Sequence, residues 1–252
     1  MKILTEIGLF AKRKILETIR QPVWIVSELM TPLLYMLLFS PLLKNMGYAP
    51  RSTAEVLNGF VPGLLTLLAF STGMGSGWTV IHELDTGVIE RLRVTPASRF
   101  SILMGTILTD ILDFLVPSLL VLVISSFFGF TIHPIGLLVL LVLLCLLTAV
   151  VSAFSSSIGL IVKKIGSVAA VMTSLQLPLT LLSGILLPLS LGPAWLRVIA
   201  HINPMYYTVE ASRVLSTGVL VSFETLKAFA VTIPLTVIAL WWATGVYRKA
   251  VA

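Results

Sequence analysis

Six long apolar stretches constrain this sequence more than any other feature. Each has the roughly 20 residues that a helix needs to cross about 30 Å of hydrocarbon. The 252 residues are 57% hydrophobic and 11% charged, whereas soluble domains are about 25% charged. We therefore predict an all-α, polytopic membrane protein with six transmembrane helices, at about 23–43, 56–80, 102–128, 135–162, 168–189 and 229–247.

The distribution of positive charge predicts how these spans are oriented. With the N-terminus inside, the inner segments carry twelve lysines and arginines and the outer segments carry five. Because cationic loops stay on the cytoplasmic side, we expect both termini to be cytoplasmic, in the plasma membrane or inner membrane of the cell. This topology and contact with membrane lipid account for the net charge of +6 without nucleic-acid binding.

Residues 1–22 precede the first span and have the pattern of a surface helix. Their apolar residues recur at spacings of three and four, which predicts an amphipathic helix lying in the membrane interface. Pro22 would end this helix before the chain enters the bilayer. A simple cytoplasmic extension of the first span is the alternative. In either case residues 23–252 form the transmembrane domain.

Residues 190–228 form the longest stretch outside the predicted spans. This stretch is too apolar for a free loop, and Pro193 and Pro204 interrupt it too often for it to cross the membrane. We predict short re-entrant helices on the extracellular side, with their irregular backbone sheltered by protein. Glu210 and Arg213, three residues apart, are expected to form a local ion pair within it.

Two motifs carry a resemblance to a known family. One is the run Asn203-Pro204-Met205-Tyr206-Tyr207 with Glu210 and Arg213, and the other is the charged segment from Glu83 to Pro96 between the second and third spans. Both resemble motifs of the ABC-2 family of ATP-binding-cassette transporter permeases. Together with the surface helix and six spans, the resemblance covers essentially the whole chain. It is nearest to permeases of the daunorubicin-resistance, multidrug-efflux type.

The resemblance implies a type V exporter, ABCG-like fold and an external motor. A glycine-rich phosphate loop of the form G-x-x-x-x-G-K-[ST] does not occur in the sequence. ATP and Mg are therefore expected on a separate ABC ATPase subunit, two copies of which would bind two permease copies. The permease pair would be a homodimer or a pair of close paralogues. For this chain we expect no catalytic residue, cofactor or metal site, since its three histidines are scattered over different loops.

The same resemblance assigns a role to the segment at about 84–95. In the family this segment is a cytoplasmic coupling helix that rests on the ATPase. The matching residues combine charged side chains for polar contacts with apolar anchors: Thr86, Val88, Ile89, Glu90, Arg91, Leu92 and Arg93. An ordinary solvated loop is the alternative, although it does not explain the apolar residues.

The resemblance also implies that the second and fifth spans line the transport path. The candidate lining residues are Phe70, Met74, Trp78, Thr173, Leu177, Thr180 and Ser183. They are apolar or weakly polar and uncharged. This favours export of a hydrophobic or amphiphilic substrate, such as a drug, an antibiotic or a lipid-like molecule. Export of a polysaccharide or lipid by an ABC-2 permease is the alternative within the family.

Three acidic residues lie at or inside the predicted spans, where charge is costly unless it faces protein or water: Glu28, Asp110 and Asp113. Two interpretations are open. The carboxylates either contact the pathway or a gate, or they only cap and orient helices near the interface. They also leave an ion- or proton-coupled secondary transporter as a second function class. An intramembrane enzyme is not expected, because the sequence has neither G-x-S-x-G nor H-E-x-x-H.

The second span also contains a cluster of small residues, Gly73, Gly75, Ser76 and Gly77. Small side chains let two helices approach closely within a membrane, but glycines also permit a helix to bend. The sequence does not choose between these two roles.

Overall fold

A computed structural model describes residues 6–12, 16, 29–38, 41, 52–89, 98–185 and 193–250. All regular secondary structure in these ranges is helical, which confirms the all-α prediction for the described residues. In chain order the helices are α1 (6–12), α2 (Leu29–Leu38), α3 (Thr53–Asp85), α4 (Arg99–Phe127), α5 (Pro134–Val162), α6 (Ile165–Leu181), α7 (Ala194–Ala200), α8 (Pro204–Ser216) and α9 (Phe223–Ala250).

Four of these helices, α3, α4, α5 and α9, are long and apolar enough to cross a membrane. They correspond to the second, third, fourth and sixth predicted spans. The first and fifth predicted spans correspond to α2 and α6, which are shorter apolar helices within the described residues. The chain is thus a multi-pass membrane protein with at least four helices of spanning length, and the total of six spans stays a prediction.

Several helix ends differ from the hydropathy boundaries because polar caps, and not apolarity, set them. α9 begins at Phe223 and not at 229, since the backbone N–H of Thr225 donates to Ser222 Oγ (3.1 Å). The re-entrant region is correspondingly shorter than 190–228. At its start, α3 reaches back to Thr53, where Ser52 and Glu55 form a reciprocal capping box.

The end of α6 and the turn before it also differ from expectation. α6 ends at Leu181, eight residues before the predicted 189, and the following turn contains Gly184 at φ +79°. Between α5 and α6 there are two residues, Lys163 and Lys164, fewer than the five-residue loop of the sequence prediction. Lys163 closes α5 in the left-handed region (φ +54°), with its N–H on Gly159 O (3.0 Å).

α3 and α5 form the centre of the bundle and approach each other through small residues. A Cβ on Gly73 would lie 2.8 Å from Val151 Cβ, and one on Gly77 would lie 2.7 Å from Ser155 Oγ. Ser155 Oγ also accepts from Gly77 N (2.9 Å) and donates to Met74 O (2.6 Å). Close packing is therefore the role of Gly73 and Gly77.

Contacts between elements define two ends of the bundle. At one end α1 lies beside the start of α4, where the Ser98 N–H donates to Glu6 (3.2 Å) and Phe10 lies against Gly105. Residues 86–89, the 163–164 turn and the last turn of α9 lie at this same end, which we call the basic end. Its described cations are Lys12, Arg99, Lys163, Lys164, Arg248 and Lys249.

The opposite end, which we call the Asn203 end, gathers the 128–133 connection, the 182–185 turn, α7 and α8. Asn58 near the start of α3 accepts from the Thr131 N–H (2.9 Å), and Gly136 of α5 is close to the Leu215 carbonyl of α8. The two groups of loops thus lie at opposite ends, as the predicted alternation of spans requires. The cytoplasmic assignment of the basic end stays a prediction.

Candidate functional site

The start of the predicted coupling segment is fastened to α3. Thr86 ends that helix, with its N–H and its Oγ1 both donating to the His82 carbonyl (3.0 and 2.7 Å). Gly87 follows at φ +69°, a conformation that favours glycine and turns the chain out of the helix. The segment therefore follows α3 directly, through Thr86 and Gly87.

The two described apolar residues of this segment face the bundle. Ile89 is fully buried, and Val88 is half-buried against the cluster of Val80, Ile102 and Tyr247 at the basic end. These side chains hold the segment against its own chain, while Thr86 is exposed. The other predicted coupling residues, Glu90, Arg91, Leu92 and Arg93, lie outside the described residues, as does Glu28.

The seven candidate lining residues separate into two sets. Phe70, Met74 and Ser183 are buried and Thr180 is half-buried, whereas Trp78, Thr173 and Leu177 are exposed. The hydroxyl of Thr180 has no hydrogen-bond partner among the described residues, and Ser183 Oγ donates to Thr180 O (2.6 Å). Of these seven residues, only Trp78, Thr173 and Leu177 lie on the surface of the chain, where a second copy of the chain or a substrate can contact them.

Phe70 and Met74 line an apolar cavity of about 160 Å³ within the chain. The cavity lies between α3, α5, α6, α8 and α9. Its other lining residues are Leu147, Val150, Val151, Phe154, Leu175, Leu179, Asn203, Pro204, Met205, Thr232 and Leu235. Its walls are almost entirely apolar, so the cavity suits a hydrocarbon group and not a hydrated ion.

Asp110 lies about three turns inside α4 and joins three helices. The Ser152 hydroxyl of α5 donates to the Asp110 carboxylate and lies 3.2 Å from Ser76 Oγ of α3. Ser98, and not Asp110, caps α4, by accepting from the Ser101 N–H (3.0 Å). Asp110 is buried, and Asp113, which shares its helix face, is half-buried. The carboxylate of Asp110 thus contacts α5 and does not line the apolar cavity.

Asn203 connects the re-entrant region to α6. Its Oδ1 accepts from the Met205 N–H (3.0 Å) and so caps α8, in which Pro204 is the first residue. Its Nδ2 donates to the Leu179 carbonyl of α6 (2.7 Å). One buried side chain thereby starts α8 and fastens it to α6.

Arg213 makes a second connection at this end. Its Nη1 lies 3.0 Å from Glu210 Oε1, which is the ion pair expected from the three-residue spacing, and its Nη2 donates to Gly184 O (2.6 Å) after α6. Sequence reasoning found the pair but missed the carbonyl contacts of Arg213 and Asn203. A polar side chain within an otherwise apolar re-entrant stretch was the available signal.

The two tyrosines of the motif stabilise the bend before α8. Tyr207 donates its hydroxyl to His201 O (2.8 Å), and the rings of Tyr206 and Tyr207 pack edge to face at 5.4 Å. Burial and the negative charge of Glu210 raise the pKa of Tyr206 above its ordinary value. Tyr206 is therefore neutral at physiological pH.

Comparison with known proteins matches most of this chain to one family. The model of the ABC-2 type transporter family matches residues 5–216. A protein named "Putative transport permease ycf38" from Cyanophora paradoxa is 31% identical over 219 residues, covering 84% of this chain and 74% of the relative. The protein of the same name from Porphyra purpurea is 25% identical over 215 residues, with coverage of 84% and 74%.

A bacterial relative has a more specific name. "Daunorubicin resistance ABC transporter permease protein DrrB1" from Streptomyces coeruleorubidus is 25% identical over 199 residues, covering 78% of this chain and 70% of the relative. The family match extends from α1 to the end of α8. It includes the whole of the predicted coupling segment, Asp110 and the Asn203 motif.

Proposed function

Because this chain belongs to the ABC-2 type transporter family, we propose that it is the permease subunit of an ATP-binding-cassette exporter. Family membership makes it a transporter component and implies an ABC ATPase partner. The observation that supports the proposal most strongly is the family match over residues 5–216. In the proposed complex, two permease copies pair with two ATPase subunits that bind ATP and Mg, and transport is outward.

The proposed coupling runs from residues 86–94 into the bundle. Thr86 and Ile89 fasten the start of this segment to its own chain, which leaves Glu90, Arg91 and Arg93 as the proposed contacts with the ATPase. α3 packs closely on α5, so a force on the segment would move both helices together. ATP-driven approach of the two ATPases would thereby change the permease between two arrangements.

The proposed substrate is a hydrophobic or amphiphilic molecule, such as a drug, an antibiotic or a lipid-like compound. The exposed candidate lining residues Trp78, Thr173 and Leu177 are uncharged, and the internal cavity beside Phe70 is apolar. The name of the Streptomyces relative supports a drug over a polymer. Export of a lipid or polysaccharide is the alternative. A substrate screen distinguishes it from export of a drug.

The test of this function is co-expression of the chain with an ABC ATPase subunit from the same organism, starting with any that is encoded beside its gene. We expect the two proteins to co-purify and to hydrolyse ATP in a vanadate-sensitive manner. In liposomes, amphiphilic compounds should stimulate this ATP hydrolysis. Glu90→Lys and Arg93→Glu should lower ATPase association or stimulation by about tenfold, as for loss of desolvated charge pairs worth about 1.4 kcal/mol. Membrane insertion should be unchanged, and Arg197→Glu, at the Asn203 end, is the matched control.

The burial of Asp110 favours a second candidate function, that of an ion- or proton-coupled transporter. Its carboxylate is buried within a spanning helix. Substrate transport by the chain alone in liposomes, driven by a proton gradient and lost in Asp110→Asn, would establish that function. Transport that requires the ATPase and ATP, with Asp110→Asn active at normal abundance, would support the exporter and a purely structural carboxylate.

A further inference from the structure

A shallow groove runs along the surface of α9 at the basic end. It has a volume of about 620 Å³ and lies between the first turn of α4 and the last three turns of α9. Its lining residues are Phe100, Leu240, Trp241, Trp242, Thr244, Gly245, Val246, Arg248 and Lys249. The groove is therefore apolar over most of its length and cationic where α9 ends.

The apolar part of the groove belongs to the helix that the bundle covers least. Only 22% of the apolar window of α9 is buried, against 44% to 78% for the other helices of spanning length. Trp241 leaves 79% of its surface exposed. In a membrane this face meets hydrocarbon, and tryptophan is enriched where hydrocarbon gives way to headgroups.

The cationic part of the groove has no acidic partner in the described chain. Arg248 and Lys249 are exposed, and neither forms an ion pair with a described carboxylate. Among the described acidic residues of the same end, Glu6 accepts from Ser98 N, Glu83 is buried, and Asp85 is exposed at the end of α3 without an ion pair to either cation. Two adjacent cations at the end of a spanning helix thus face the headgroup region without a counter-charge from the described protein.

We propose that this groove binds an anionic phospholipid of the surrounding bilayer. The lipid phosphate contacts Arg248 and Lys249, and an acyl chain lies along Leu240 and Trp241. Arginine binds phosphate oxygens through two donors at once, and basic pockets beside transmembrane helices are suited to anionic headgroups. The apolar surface continues for about 12 Å from Arg248 to Leu240, which a lipid tail covers and a free phosphate does not.

The test is native mass spectrometry of the purified full-length chain, titrated with phosphatidylglycerol or with phosphatidylcholine of identical acyl chains. Each cation near an anionic lipid contributes about a fivefold preference, so we expect phosphatidylglycerol to bind about 25-fold more tightly. Arg248→Gln and Lys249→Gln should each reduce this preference about fivefold, and Arg248→Lys should retain most of it. Trp241→Ala should weaken both lipids equally, because it removes acyl-chain contact and no charge.

The controls separate this site from general charge and from free phosphate. Arg197→Gln removes an exposed cation at the Asn203 end and should leave the preference intact. An excess of glycerol phosphate should not displace the lipid. Equal affinity for the two lipids in the unmodified chain, an unchanged preference in both glutamine variants, or the same loss in Arg197→Gln would each overturn the proposal. The measurement needs no ATPase, so its outcome is independent of the proposed transport function.

Discussion

The α3–α5 contact and the attachment of α6 are built in different ways. α3 has 20 of its 33 residues buried, and its backbone approaches α5 so closely at Gly77 that a methyl group does not fit. α6 has two buried residues, Val168 and Met172, in a helix of 17, and at its far end Asn203 and Arg213 bind its carbonyl and that of the following turn. Packing fixes the first contact along its length, whereas a few apolar residues and individual hydrogen bonds at the far end hold the second.

This difference indicates which parts of the bundle move together. Close-packed helices shift as a unit because a small separation forfeits many contacts at once. A helix held by a few polar contacts separates when those contacts break. We therefore expect α3 and α5 to behave as one body and α6 as a separate one. Substitutions at either contact test this expectation.

The largest effect is expected at Gly77. In Gly77→Ala the new methyl group would lie 2.7 Å from Ser155 Oγ and 2.9 Å from Ser155 O. Such overpacking should lower the free energy of unfolding by about 1–3 kcal/mol. Thermal unfolding of the solubilised protein measures the loss. The matched control is Gly75→Ala, whose Cβ meets nothing within 4 Å. Equal behaviour of the two variants would contradict close packing of α3 on α5.

An intermediate effect is expected at Asn203. Asn203→Ala removes a helix cap and the bond to Leu179 O, each worth about 1 kcal/mol. Asn203→Ser keeps a capping oxygen but is too short to reach α6. Hydrogen exchange over residues 175–183 should therefore accelerate in both variants, with only the alanine variant also loosening the start of α8. If the serine variant matches the unmodified protein, Asn203 does not hold α6.

The smallest effect is expected at Arg213. Arg213→Ala removes the bond to Gly184 O and a partly exposed ion pair with Glu210, together worth about 1 kcal/mol after solvent screening. Exchange should accelerate at residues 182–185 and leave α3 unchanged. Arg197→Ala, an exposed arginine at the same end, serves as the reference. Acceleration within α3 would mean that the two regions are not separate bodies.

Hydropathy predicted the helices that are uniformly apolar and misjudged those with polar ends. α5 was predicted at 135–162 and is found at Pro134–Val162, because Pro134 and the two lysines bound a long run without a charged residue. α9 was predicted to start late, since Glu224 and Lys227 lower the hydropathy of its first turns. These residues are nevertheless helical, because the cap at Ser222 determines where the helix begins.

The site was predictable where its contacts are local and unpredictable where they join distant elements. The spacing of Glu210 and Arg213 predicted their ion pair, since residues three apart on a helix are neighbours. Ser152 as the partner of Asp110 is separated from it by 42 residues. No periodicity of the sequence encodes that contact. The division of the lining candidates into buried and exposed sets likewise depends on tertiary packing.

The two-residue connection of Lys163 and Lys164 attaches α6 to α5 at one end only. With 17 residues, α6 is about 25 Å long, and its first turn is tethered to the end of α5. A rotation of α6 by about 10° about this attachment would displace its far end by about 4 Å. That distance exceeds the length of the hydrogen bonds that Asn203 and Arg213 donate there. A tilt of this size at the basic end would therefore break the hydrogen bonds from Asn203 and Arg213 to the far end of α6 and the turn after it.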